Sequence, residues 1–159
     1  FDVAWNVYSS NKWIVKNKKD QRVITEEKIS KVEAQEGDIF DIKDEIFKIL
    51  CICHKEDTLF VEEQLKKNFQ DCYIVKSSNA LIEISNKDVN KAYAVKKLCQ
   101  ILNYDIKDAI AFGDNYNDVE MFERSYYSYA MQHSPSDIRK CAKHITPDVD
   151  SILEDILRM

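Results

Sequence analysis

From Lys91 onward, helix-type and strand-type patterns alternate without a break, and this alternation narrows the possible folds more than any other feature of the chain. Val95, Leu98, Cys99 and Leu102 recur at helical spacing within residues 91–103. Residues 109–112, "AIAF", are apolar at every position and read as a buried strand, and a helix begins near Asn117. "YSYAM" is a second short strand. "SPSD", residues 134–137, has the signature of a helix start: a capping serine, proline at the first helical position and an acid at the third. "HITPDVDSILEDIL" repeats strand, proline and helix, with Ile152, Leu153, Ile156 and Leu157 as the stripe expected to be buried. Strands alternating with helices imply a parallel sheet.

The first half has another texture. Residues 4–9 and 12–16 alternate around "SSN" as a hairpin would, and Trp5, Tyr8 and Trp13 read as its packing residues. Charged residues dominate 16–38, where Gly37 is expected to close a short helix. "IFKILCIC" is strand-like and is followed by helical periodicity through Leu59, Glu62, Glu63 and Phe69. "CYIVKS" and "ALIEIS" are two further strands, joined at Ser78-Asn79. The change near residues 86–88 predicts two domains: a smaller α/β domain over 1–86 and a parallel-sheet domain over 87–159.

Apolar residues make up 45% of the 159, enough for packed cores. The net charge of −5, with both signs mixed along the chain, offers no bulk positive field, so nucleic acid is not an expected partner. The apolar runs are too short to span a bilayer, and no basic segment followed by a long apolar one occurs at the start. Five cysteines without a regular framework fit reduced thiols and a cytoplasmic location. Cys51, Cys53 and His54 suggest a zinc site, but a second ligand pair is missing, and buried thiols in a strand are the preferred reading.

The chemistry concentrates in "AIAFGDNYND". Open parallel sheets bind ligands at the carboxyl ends of their strands, which is where Asp114 would stand, with Asn117 and Asp118 one turn on. One of only two glycines in the chain, Gly113, lets the backbone leave the strand sharply and admits close approach by a ligand. Two carboxylates and a neutral amide suit Mg²⁺, which takes one or two carboxylates besides waters and phosphate oxygens. An EF-hand is excluded, because Val119 replaces its turn glycine and Ser125 its final acid. A simple helix cap accounts for one of these polar residues and leaves the rest of the pattern unexplained.

"GDNYND" resembles the fourth motif of the haloacid dehalogenase superfamily, in particular its Cof-type sugar-phosphatase-like branch. Upstream, "LIEISNKDVNKAYAVKKL" is similar to the branch's segment in which a cap strand returns to the core and delivers the motif-three lysine, here Lys91. Downstream, "YSYAMQHSPSDIRKCAKHIT" is similar to its short strand, methionine, helix and strand. The resemblance covers residues 80–150. Ala92 stands where a glycine often follows the lysine, and Gln132-His133 replaces a usual glycine-asparagine pair near the phosphate site.

The resemblance implies part of a Rossmann-like three-layer parallel-sheet core, joined to a smaller α/β cap. It implies a Mg²⁺-dependent phosphatase acting on a small phosphorylated metabolite through an aspartyl-phosphate. Asp114 would hold the metal, directly or with Asp118 in support; Lys91 would face phosphate and nucleophile, and Asn117 would hydrogen-bond the phosphate. Read without the resemblance, Lys91 is a solvated lysine and Asn117 a cap. The nucleophile motif, Asp-x-Asp-x-Thr or Val after an apolar strand, occurs nowhere; "DIFDIKD" has the wrong spacing. The chain therefore reads as the C-terminal part of a longer enzyme, inactive and poorly behaved until a missing N-terminal segment is supplied. A binding or regulatory module and a phosphomutase relative remain as alternatives.

Overall fold

A computed structural model describes residues 1–158. The chain divides into two compact units, Phe1–Asp88 and the residues from Val89 on.

The first unit opens with the hairpin β1 (Ala4–Ser9) and β2 (Lys12–Val15), whose turn places Ser10 at a positive φ of 33°. α1 (Gln21–Ser30) is capped by Asp20, which accepts from the Arg22 amide, and ends at Lys31 in the left-handed region. Gly37 does not close this helix. It follows β3 (Gln35–Glu36) and donates its amide to the Val15 carbonyl, prolonging the pairing with β2. β4 (Ile46–Ile52), α2 (Thr58–Asn68), β5 (Cys72–Lys76) and β6 (Leu81–Asn86) complete the unit. The six strands form one sheet in the order β3-β2-β1-β4-β6-β5, antiparallel except between β2 and β3.

Alternation along β4 sorts the packing into two clusters. Leu50 and Ile52 join Ala4, Trp13, Val15 and Val23 of α1. Cys51 and Cys53 join Ile74, Ile82 and the α2 residues Val61 and Leu65. The two helices therefore cover opposite faces of the sheet. α2 buries Thr58, Val61 and Leu65, while Leu59 and Phe69, which the sequence pattern favoured, are exposed. The Thr58 hydroxyl can enter the core because the His54 and Asn79 carbonyls lie within 3.0 Å to accept from it.

The second unit alternates helix and strand as expected. α3 (Lys91–Leu102) is capped by Asn90 and ends at Asn103 with φ 58°. β7 (Ile110–Gly113), α4 (Val119–Arg124), β8 (Tyr127–Met131), α5 (Ser136–Arg139), β9 (His144–Thr146) and α6 (Val149–Leu157) follow. β7, β8 and β9 form a parallel sheet in that order. Ala111 and Ala130 on one face pack against Phe122 of α4 and Ile138 of α5. On the other face Phe112 stacks on Tyr129 at 5.2 Å, and Tyr129 on His144 at 5.0 Å.

Two expectations fail here. Ser134 makes no capping bond: its buried hydroxyl has no partner, and α5 starts after Pro135. The apolar stripe of α6 is not buried, with Leu157 85% exposed. Leu98 and Leu102 of α3 are exposed as well, and the buried residue of that helix is Ala92. Periodicity identifies the apolar face of a helix, but burial requires a second surface to cover it.

Candidate active site

The carboxyl end of β7 is organised around Asp118, which is 1% exposed. The chain turns directly after Gly113 into a 3-10 turn (Tyr116–Asp118) that runs on into α4. Asn115 caps this turn, and the Asp118 carboxylate reaches back to the strand end, completing a capping box. One carboxylate oxygen accepts from the Asp114 amide at 2.8 Å and the Asn115 amide at 3.0 Å. A Cβ at position 113 would lie 2.5 Å from Cβ of Asp118, so only glycine leaves room for this carboxylate. Gly113 is not at positive φ. The close approach that Gly113 visibly permits is that of Asp118, within the chain itself.

Lys91, in the first turn of α3, places its ammonium on the second oxygen of Asp118, which is thereby fully partnered. The same ammonium lies 3.4 Å from the Asn117 side-chain oxygen. A carboxylate this deeply buried is tolerable only with its charge opposed and its lone pairs occupied, and Lys91 with two amides does both. Beside Lys91, Asn90 donates to Glu120 at 3.0 Å, a second tie between α3 and α4.

Asp114 differs from Asp118 in every respect. Its side chain is 53% exposed, and its neighbour is His133, with Nε2 3.8 Å from Oδ2. All four residues singled out from the sequence, Lys91, Asp114, Asn117 and Asp118, thus meet at one strand end. Asp114 presents an open carboxylate of the hard-oxygen type that Mg²⁺ accepts, whereas both oxygens of Asp118 already accept hydrogen bonds. The donor set accordingly fits one protein carboxylate, with other ligands to be supplied by water or phosphate. Among the described residues, no group of three or more His, Cys, Asp or Glu side chains could hold a metal by itself.

Asn115 was missed from the sequence, although the Asn115-x-x-Asp118 spacing is the capping-box signature. The local pattern around His133 did not signal its closeness to Asp114, since β8 separates them in the chain, and only the resemblance put residues 132–133 near the phosphate site. The zinc alternative finds no support. Cys51 and Cys53 are buried free thiols, the preferred reading, and burial pushes the Cys51 thiol up to about 12 and raises that of Cys53. His54 pairs with Asp2, whose carboxyl is held below its usual range by His54 and then by Arg22. Arg22 also bonds Asp20 at 2.7 Å, so this cluster is a self-satisfied network at the edge of the first unit.

A family model described as haloacid dehalogenase-like hydrolase matches residues 1–153. A Haemophilus influenzae protein named "Putative phosphatase" is 29% identical over 141 residues, covering 89% of this chain and 53% of its own. A crystal structure from Streptococcus mutans superposes with a TM-score of 0.88 at 20% identity, over 99% of this chain and 62% of that one. A structure titled as a subclass IIB sugar phosphatase gives 0.82 at 14% identity, over 99% and 62%. The chain spans about half the length, or less, of the curated relatives it matches. At these identities the solved structures establish a shared α/β, Rossmann-like fold, and with the family model matching nearly the whole sequence, the chain belongs to the haloacid dehalogenase-like hydrolases.

Proposed function

We propose that this chain carries the cap and the second half of the core of a phosphatase that hydrolyses phosphomonoesters of sugars or similar small metabolites. The observation that carries this reading is the pairing of an open carboxylate, Asp114, with a lysine held on a buried acid, Lys91 on Asp118, at the carboxyl end of one parallel strand. A phosphate ester bound there meets Lys91 and the Asn117 amide, both of which can donate to its oxygens. Asp118 acts by position: it fixes the Lys91 ammonium and orients the two loop amides. Mg²⁺ bound at Asp114 would neutralise phosphate charge as a Lewis acid.

The attacking aspartate comes from outside these 159 residues. Its carboxylate oxygen forms a bond to phosphorus as the ester P–O bond breaks, and the leaving alkoxide takes its proton from water. Water then cleaves the aspartyl-phosphate and releases inorganic phosphate. Residues 1–86 serve as the cap that selects the substrate, and residues 87–159 as the catalytic half-core. The sugar-phosphatase name of one structural neighbour and the phosphatase names of the relatives support this substrate class. Five free cysteines support a cytoplasmic setting, and no helix among the described residues is long and apolar enough to cross a membrane.

The test is turnover of an aryl phosphate and of hexose phosphates with Mg²⁺, with and without the N-terminal segment of the gene product. Activity is expected only with the segment present. Asp114→Asn should then abolish Mg²⁺-dependent turnover with the melting temperature unchanged, since Asp114 is exposed and makes no folding contact through its carboxylate beyond His133. Robust turnover by the 159-residue chain alone, or by the Asp114→Asn enzyme, would sink the proposal.

A further inference from the structure

We propose that His133 is the positioning residue for Asp114: its Nε2–H donates to Oδ2 of that carboxylate and leaves the other oxygen aimed at the divalent cation. The inference rests on the reading of Asp114 as the magnesium ligand. Asp114 is the one carboxylate of the site with oxygens free, and a carboxylate with no partner samples several rotamers. Metal-binding carboxylates are ordinarily hydrogen-bonded on the side away from the ion, and loss of such an outer partner weakens metal binding. His133 Nε2 stands 3.8 Å from Oδ2, one small side-chain rotation beyond hydrogen-bond length, and both side chains have room to move, at 69% and 53% exposure.

The backbone around His133 is fixed more firmly than the side chain. The Gln132 amide donates to the Thr146 carbonyl at 2.8 Å, tying the loop to β9. The Gln132 carbonyl accepts from Arg139 at 3.1 Å, and the Ser134 amide closes a turn on Met131 at 3.0 Å. His133 is therefore presented from a turn held on both sides, next to the end of β7. As a solvent-exposed polar contact it would contribute little to folding, so its consequence lies in where it points Asp114.

The experiment titrates the chain with Mg²⁺ alone, followed by amide shifts in the loop 113–118, and with Mn²⁺, followed by paramagnetic broadening of the same signals. His133→Ala should weaken binding by about 10- to 100-fold, with an unchanged melting temperature. His133→Gln keeps an N–H donor at the reach of Nε2 and should restore binding to within about threefold of the parent. Asp114→Asn should abolish the response. If Asp114→Asn abolishes it but His133→Ala binds like the parent, the role of His133 is wrong and the site reading stands. If His133→Gln is as weak as His133→Ala, donation from Nε2 is refuted. If the parent and Asp114→Asn respond alike, or neither responds, the metal assignment of Asp114 falls, and the proposal for His133 with it.

Discussion

Gly113→Ala is the substitution whose sign the structure decides. The φ of Gly113 lies outside the left-handed region, so backbone entropy alone predicts that alanine stabilises by about 0.4–1 kcal/mol. The new methyl would lie 2.5 Å from Cβ, 2.6 Å from Cγ and 2.7 Å from Oδ2 of Asp118. Ordinary contact begins near 3.4 Å, so the two residues must separate by about 0.9 Å (3.4 less 2.5). Asp118 cannot yield freely, because Lys91 and the amides of Asp114 and Asn115 hold it from three sides. Overpacking of this kind costs about 1–3 kcal/mol. Weakening the three hydrogen bonds adds about 1–2 kcal/mol more, one of them being to a charged donor. After the entropy gain is set against these costs, the second unit should lose about 1–4.5 kcal/mol. Both tryptophans, Trp5 and Trp13, lie in the first unit, so tryptophan fluorescence in urea serves as an internal control and should not change. Amide exchange at Ala111 and Ala130, in the core of the second unit, reads out the loss. Protection at these amides equal to or greater than that of the parent would refute the packing argument.

Lys91→Met removes one of the three donors to buried Asp118 and should cost the second unit about 1.5 kcal/mol, the low end for a charged hydrogen bond because Lys91 is half exposed, and should also abolish binding of inorganic phosphate. An unchanged stability, followed by amide exchange, would show that Asp118 does not depend on Lys91. Thiol labelling at pH 8 should modify the exposed Cys72 and Cys141 and spare Cys51 and Cys53 until the first unit unfolds. Burial holds Cys51 and Tyr8 protonated up to about 12, above their ordinary values of 9.0 and 10.0. The unfolded chain therefore releases these protons first, and the first unit should lose stability as pH rises from about 9 towards 12. A flat stability profile between pH 8 and 11, measured by tryptophan fluorescence, would contradict this.

Much of the second unit was legible because its signals are local. "AIAF" and "YSYAM" announce strands by composition, and "GDNYND" behind such a strand announces a turn dense in polar side chains. The meeting of Lys91, Asp114, Asn117 and Asp118 was legible only through the resemblance, since 22 residues of unrelated pattern separate Lys91 from Asp114. Other features carried no such signal. Thr58 occupies a core position of α2 that hydrophobicity would give to Leu59, because the His54 carbonyl one turn upstream and the Asn79 carbonyl of a distant segment accept from its hydroxyl.

By itself, then, the sequence determined the alternation of helix and strand, the apolar face of each helix and the residue types at the strand end, since each depends on neighbours within one or two turns. Tertiary structure decided which apolar faces are covered, why position 113 must be glycine and how the two acids divide their work. Asp118 is buried and spent on Lys91 and two amides, while Asp114 stays open beside His133. The two carboxylates are chemically identical and four residues apart. What separates them is solvent access and the donors that other segments bring to within hydrogen-bond length, neither of which is encoded locally.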